Sequence, residues 1–295
     1  MGHSCPTFAR GSVSHRIAGA SPYLIDMRNK TRLMGILNVT PDSFSDGGVF
    51  FNHEKAVDCG IKLEDDGADI IDIGGESTRP GAAAVPFEEE VRRVIPVIEA
   101  LARRVKIPIS VDTYKSGVAR QAVDAGASII NDVSALRFDA EMVHIVSKRQ
   151  VPVVLMHMLG NPGNMQANPV YDDVVTDVFN FLRERVAFAA DNGISKDKII
   201  VDPGIGFGKN LAHNLLLIKH LDVFKNLGCC LLVGPSRKSF IGAVLKQDIE
   251  GRLEGTAAVV AVTIMKGADI IRVHDVREMS QIAKMVDAIE GYEFH

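Results

Sequence analysis

Asp112, Asn131 and Asp202 are the residues from which a chemistry can first be read. Each follows a short apolar run: ISV before Asp112, II before Asn131, IIV before Asp202. An ionised Asp only accepts hydrogen bonds, whereas Asn both donates and accepts. Brought to one place, the three suit a flat heterocycle carrying amino and ring N–H groups. A divalent cation between the two Asp is an alternative, and capping of the following helices is the plain one. Three such groups, each ending a nearly continuous apolar strand, weigh against capping alone.

Other segments offer anion donors. GGESTRPG at 74–81 has glycines that let backbone N–H groups approach an anion, with Ser77, Thr78 and Arg79 as further donors. No Lys follows its second glycine run, so it is not a P-loop, and Glu76 reads as structural. GPSRKSFIG at 234–242 places Arg237 and Lys238 where barrels often bind anions, although a solvated basic pair has the same spelling. Arg272 and His274 are two residues apart, so period-two alternation aims them the same way, with His274 as donor or cation. His157 reads as a supporting residue behind the site.

Two loops could enclose a ligand. DPGIGFGK at 202–209 can lie close to one, with Phe207 as an apolar wall; its spacing does not match a dinucleotide fingerprint. NVTPDSFSDGG at 38–48 carries Asp42 and Asp46 around Phe44. It fits a turn-rich surface loop and a functional loop about equally. No Ser-His-Asp order, HExxH or nucleophile elbow is present. The implied chemistry is electrostatic, with acceptors for a cationic or N–H-rich ring and donors for an anionic leaving group.

Eight short strands must position these residues. They run into Asn38, Asp72, Asp112, Asn131–Asp132, Met156–His157, Asp202, Gly234–Ser236 and Arg272–His274. Strands alternating with helical patterns give parallel pairing, and chemistry after every strand predicts an α/β fold, a single-domain closed (β/α)8 TIM barrel. An open doubly wound sheet would gather ligand groups near one switch point. One helical stripe runs Val91, Val94, Ile95, Ile98, Leu101, Ala102, with a kink expected at Pro96. Another runs from Tyr171 to Val186. Residues 39–53 and 75–86 read as long functional loops. Residues 1–30 read as a lead-in, with a hairpin at Tyr23–Asp26 against the barrel base, and 31–295 as the barrel.

Bulk properties remove other classes. Net charge is −4 and the pI about 6.1, which gives no basic field for nucleic acid. No apolar run approaches the roughly 20 residues of a membrane span, and 257–265 reads as a buried helix. The four cysteines lack zinc spacing and read as reduced thiols, three of them in or near the core, which points to a reducing compartment. The first 30 residues do not read as a secretory signal.

Taken together these motifs resemble the dihydropteroate synthases over about residues 33–290. The matching strings include NVTPDSFSDGG, GGESTRPGA, SVDTYK, MHMLGNPGNMQ, DPGIGFGK, SRKSFIG and IIRVHD, in that order. The resemblance implies a barrel enzyme that joins 4-aminobenzoate to (7,8-dihydropterin-6-yl)methyl diphosphate, releasing diphosphate. It implies that Asp112, Asn131, Asp202 and Lys238 bind the pterin, with Met156 nearby and Arg272 against the ring face. Asn38 would help hold Mg²⁺. Thr78, Arg79, Arg272 and His274 would contact the diphosphate. Phe44, Pro80, Phe207, Lys238 and Ser239 would form the aminobenzoate pocket that sulfonamides occupy. Asp46, Arg79, Lys238 and His274 would act in catalysis. A stand-alone cytoplasmic homodimer is also implied, with Ile264, Ile282, Met285 and Ile289 as a possible interface or simply core. The competing expectations are a methyltetrahydrofolate-binding methyltransferase barrel and a catalytically silent pterin-binding relative.

Overall fold

The computed structural model describes residues 30–40, 49–77, 81–82 and 84–291. Eight strands alternate with helices: β1 Arg32–Asn38, β2 Ile70–Gly74, β3 Ile109–Asp112, β4 Ile129–Asp132, β5 Val153–Met156, β6 Ile199–Asp202, β7 Cys230–Val233 and β8 Ile270–Val273. Every neighbouring pair is parallel, and β8 pairs with β1, so the sheet closes on itself. The fold is a single-domain TIM barrel.

Period-two alternation sets the barrel interior. Met34, Ile70, Ile129, Val154, Ile200, Leu232 and Ile270 form one buried apolar cluster that fills its lower part. Two residues further along five of these strands stand Asp72, Asn131, Met156, Asp202 and Arg272. The polar layer is therefore stacked directly on an apolar floor. The intervening strand residues face the helices in a separate, larger core.

The helices are α1 Val49–Asp65, α2 Phe87–Leu101, α3 Ser116–Ala125, α4 Met142–Arg149, α5 Val174–Asp191, α6 Leu211–Lys219, α7 Ser239–Leu245, α8 Leu253–Met265 and α9 Val276–Ile289. Pro96 lies within α2 without dividing it into two elements. Asp173 caps α5 by accepting from the Thr176 N–H at 2.8 Å, so Tyr171 precedes the helix rather than belonging to its stripe. The first long loop is shorter than expected, since α1 already begins at Val49. The barrel base is tied shut by Asp287, which accepts from Thr31 N at 3.0 Å and from Thr31 Oγ1 at 2.7 Å.

Three expectations change. Cys59 is exposed, while Cys229 is buried and Cys230 intermediate; Cys5 lies outside the described residues. Helix α8 is not buried all round, because Val262 and Met265 are exposed. Ile264 belongs to the core, so it cannot share a surface with the exposed Met285 and Ile289. The Tyr23–Asp26 hairpin lies outside the described residues.

Candidate active site

The C-terminal ends of the strands form one polar mouth. Arg272 on β8 donates from Nε to Asp72 Oδ2 at 2.6 Å and from Nη2 to Asp112 Oδ2 at 2.8 Å. Asn131 Nδ2 donates to the same Asp72 oxygen at 3.0 Å. One guanidinium thus links β2, β3 and β8, and the amide adds β4. Asp72 is fully buried, and its Oδ1 has no hydrogen-bond partner, like the neighbouring Ser110 Oγ. Sequence reading named Asp72 only as a strand end and gave it no role. Its signal was an acid at an inward position of an otherwise apolar strand.

Burial shapes the charges here. Desolvation raises Asp112 to about 7, against the pull of Arg272 and with the help of Asp72. Desolvation likewise raises Asp202 to about 6, opposed by the Gly204 N–H at 2.7 Å and by Lys238. Lys238 is lowered to about 8, first by desolvation and then by Arg272. Its Nζ stands 4.1 Å from the centre of the Phe207 ring. Met156 packs with Val133, Met158 and Met165, and Tyr114 and Phe207 lie against them as an apolar wall. Ser239 is exposed at the start of α7, beside Lys238.

His274 is exposed by surface area, yet its ring is flanked closely. Desolvation, then the charge of Arg272, push its pKa down to about 4, so the ring is neutral at pH 7. Asn38 and His274 both border a cavity of about 320 Å³ that extends past Ile36 to Cys59 and Lys62 on α1. Most of its lining is not polar mouth, so the site is defined by the side chains above rather than by this void. Arg237 does not join them. Its guanidinium grips Asp275 with two bonds, 2.9 and 2.5 Å, and is thereby withdrawn from anion binding.

The 202–209 loop is fixed from several sides. Lys209, buried, donates to Phe207 O at 2.9 Å and meets His157 Nδ1 at 2.9 Å. Desolvation lowers Lys209 to about 7, and His157 is pushed well down by desolvation and by the Lys209 charge. Tyr171 donates to Gly208 O at 2.7 Å, and Gln166 to Gly206 O at 2.7 Å. Lys209 and Tyr171 were missed as parts of the site because they act on backbone carbonyls and, for Lys209, on a buried ring nitrogen, none of which a motif spells.

Gly204 has φ +68°, and a Cβ there would lie 1.9 Å from the His157 carbonyl oxygen. Gly204→Ala is therefore expected to lose about 3 kcal/mol or more through strain and collision with backbone. Urea unfolding measures this, and a loss below ~1 kcal/mol would show the two loops are free to separate.

Glu76 is structural, as its sequence context suggested. It accepts from Tyr114 Oη at 2.6 Å and from Lys115 Nζ, which also bonds Glu90 on α2. This clamp holds the chain immediately before Thr78, Arg79 and Pro80. Those three residues, with Phe44 and Asp46, lie outside the described residues.

An inward ring of acceptors and cations over an apolar floor defines a barrel enzyme that binds a polar heterocycle. The family model described as pterin binding enzyme matches residues 34–274. Dihydropteroate synthase of Bacillus subtilis is 47% identical over 274 residues, 93% of this chain and 94% of that one. The Yersinia pestis dihydropteroate synthase in a sulfonamide drug complex superposes with TM-score 0.85 at 46% identity, covering 90% of this chain and 96% of that one. The Xanthomonas albilineans enzyme with 4-aminobenzoic acid gives 0.84 at 48%, covering 90% and 94%. The chain belongs to the dihydropteroate synthase family of pterin-binding enzymes.

Proposed function

We propose that the mouth binds (7,8-dihydropterin-6-yl)methyl diphosphate and joins it to 4-aminobenzoate through the residues gathered there. The observation that carries this reading is the Asp72–Arg272–Asp112 bridge with Asn131, Asp202 and Lys238 around it. Arg272 occupies one oxygen of Asp112, and the Gly204 N–H occupies one of Asp202. Each carboxylate keeps an oxygen for a pterin N–H. Asn131 and Lys238 supply a donor–acceptor group and a cation, with Met156 and Arg272 beside the ring.

The C–O bond to diphosphate breaks first, and its electron pair leaves with the diphosphate. Positive charge on the pterin methylene spreads into the ring, where ionised Asp112 and Asp202 stabilise it, aided by Asp46. The neutral arylamine then attacks and forms the C–N bond, and only after bonding does its proton pass to solvent, as the loops reopen. Thr78, Arg79, Arg272 and His274 hold the departing anion; such preorganised donors are worth most where water is excluded. The closing loops keep water from the cationic centre. Phe44, Pro80, Phe207 and Ser239 form the aminobenzoate pocket, which a sulfonamide would share.

Among the described residues no three His, Cys, Asp or Glu form a metal cluster. Mg²⁺ would arrive with the diphosphate, since it is commonly held by one or two protein oxygens plus substrate phosphates. Asn38, half-buried at the mouth, would be its protein oxygen. Bound there, Mg²⁺ would neutralise charge on the leaving group.

A homodimer is proposed from a surface on α6, α7 and α8, where Leu215, Leu216, Val244, Leu245, Val262 and Met265 are exposed. Residues 1–30 are proposed as a lead-in to one barrel domain. Among the described residues no helix is long and apolar enough to cross a membrane. The unpaired Cys229 and Cys230 support a reducing, cytoplasmic setting.

The test is turnover with Mg²⁺, the dihydropterin methyl diphosphate and 4-aminobenzoate, following diphosphate and dihydropteroate with and without a sulfonamide. Sulfonamide-sensitive product formation is expected. Pterin binding without product would overturn the reading in favour of a silent binder, and methyltetrahydrofolate binding would favour the methyltransferase alternative. The pterin pocket needs Asp112 and Asp202 ionised, and kcat/KM reports the free enzyme. It should therefore fall as pH drops from about 7 through about 6. A flat profile down to pH 5 would remove both carboxylates from the mechanism.

A further inference from the structure

Ser236 lies three residues after β7 and is buried; the sequence groups it with Gly234 and Pro235 at the seventh strand's end without giving it a role of its own. Its Oγ accepts from the His274 backbone N–H at 3.2 Å and lies 3.1 Å from His274 Nδ1. With a lone pair given to that N–H, the hydroxyl still has one proton to place. Among the described residues Nδ1 is the remaining partner within reach. The other natural partner for an Nδ1–H would be the adjacent carboxylate Asp275. It is already gripped by both Arg237 nitrogens, at 2.9 and 2.5 Å. A hydroxyl proton directed at Nδ1 would make that nitrogen the acceptor and leave the single proton of a neutral ring on Nε2. Which nitrogen carries a proton is set by the bond the other one makes.

We propose that Ser236 is a positioning residue that locks His274 as an Nε2–H donor aimed at an anionic group in the mouth, with the Arg237–Asp275 pair removing the carboxylate that would compete for the ring. This rests on the reading of His274 as a diphosphate contact.

The experiment uses the full chain labelled with ¹⁵N-histidine at pH 8, with His274→Gln assigning the resonances. The wild type is expected to show a protonated Nε2 and an Nδ1 shifted as a hydrogen-bond acceptor. In Ser236→Ala the Nδ1 shift should move to that of an unbonded ring nitrogen. KM for the pterin diphosphate should rise about 5-fold or more while KM for 4-aminobenzoate holds, and Ser236→Thr should restore both. A wild-type proton on Nδ1 overturns the proposal, as does an unchanged Nδ1 shift in Ser236→Ala. A lost bond with unchanged KM overturns the positioning role. A His274→Gln enzyme with wild-type KM instead sinks the reading of His274 as an anion contact, and the resonance data judge the lock separately.

Discussion

Arg272→Met is expected to abolish measurable turnover and to cost about 3–5 kcal/mol of stability at pH 8, the usual range when one partner of a buried ion pair is removed. The Arg272 guanidinium is the cation that Asp72 and Asp112 share, at 2.6 and 2.8 Å. Asp72 is fully buried and Asp112 nearly so. Without Arg272 two like charges face each other in the barrel with no counter-ion. The stability loss must depend on pH. Asp112 is held at about 7, above the usual carboxylate value, because burial outweighs Arg272. A group raised in this way favours the folded state at low pH, and that contribution is lost as pH rises through its folded pKa. Removing Arg272 pushes Asp112 higher still, so the deficit is smallest where Asp112 is protonated in both proteins. Urea unfolding at pH 5 and pH 8 reads this, with the deficit at pH 5 smaller by ~1 kcal/mol or more. An equal deficit at both values would mean that lost packing, not the carboxylates, governs the effect.

Lys115→Met is expected to destabilise by a similar amount, about 3–5 kcal/mol. Lys115 is the cation bonded to both Glu76 and Glu90, and Glu90 is only 1% exposed. Burial alone would lower the Lys115 pKa, but the hydrogen bonds to the two Glu raise it above the usual lysine value. By linkage the contribution of this cation is present throughout the range below about pH 10 and is lost only as pH rises through the raised folded pKa. The effect extends to function, because Glu76 lies just before Thr78 and Arg79. The pterin diphosphate KM should rise more than the 4-aminobenzoate KM. The double variant Lys115→Met/Glu90→Gln should recover part of the stability, since it leaves no buried charge on α2 unpaired. If the double variant is no more stable than the single one, the clamp is not electrostatic.

The barrel was legible because its strands are short, apolar and regularly spaced, and because several of them end in a polar or charged residue that an apolar core would not hold. Asp112, Asn131, Asp202, Lys238 and Arg272 converge for that reason. What the sequence hid was commitment. Arg237 and Arg272 look equally available for anions, yet one is spent on Asp275 and the other on two carboxylates, and only distances separate them. Asp72, Lys209, Tyr171 and Ser236 act through backbone groups or through another side chain, so no motif spells them. Helix α8 misled for a different reason. Its composition reads as buried, and the difference between a core face and an exposed apolar face is not encoded in hydropathy.

The latch between Asp72 and Arg272 spans 200 residues of chain, and it can form only when β8 has docked beside β1. During synthesis β8 must therefore leave the ribosome before this bond can close the polar mouth. A ligand that binds only the closed mouth would stabilise finished barrels selectively over incomplete ones.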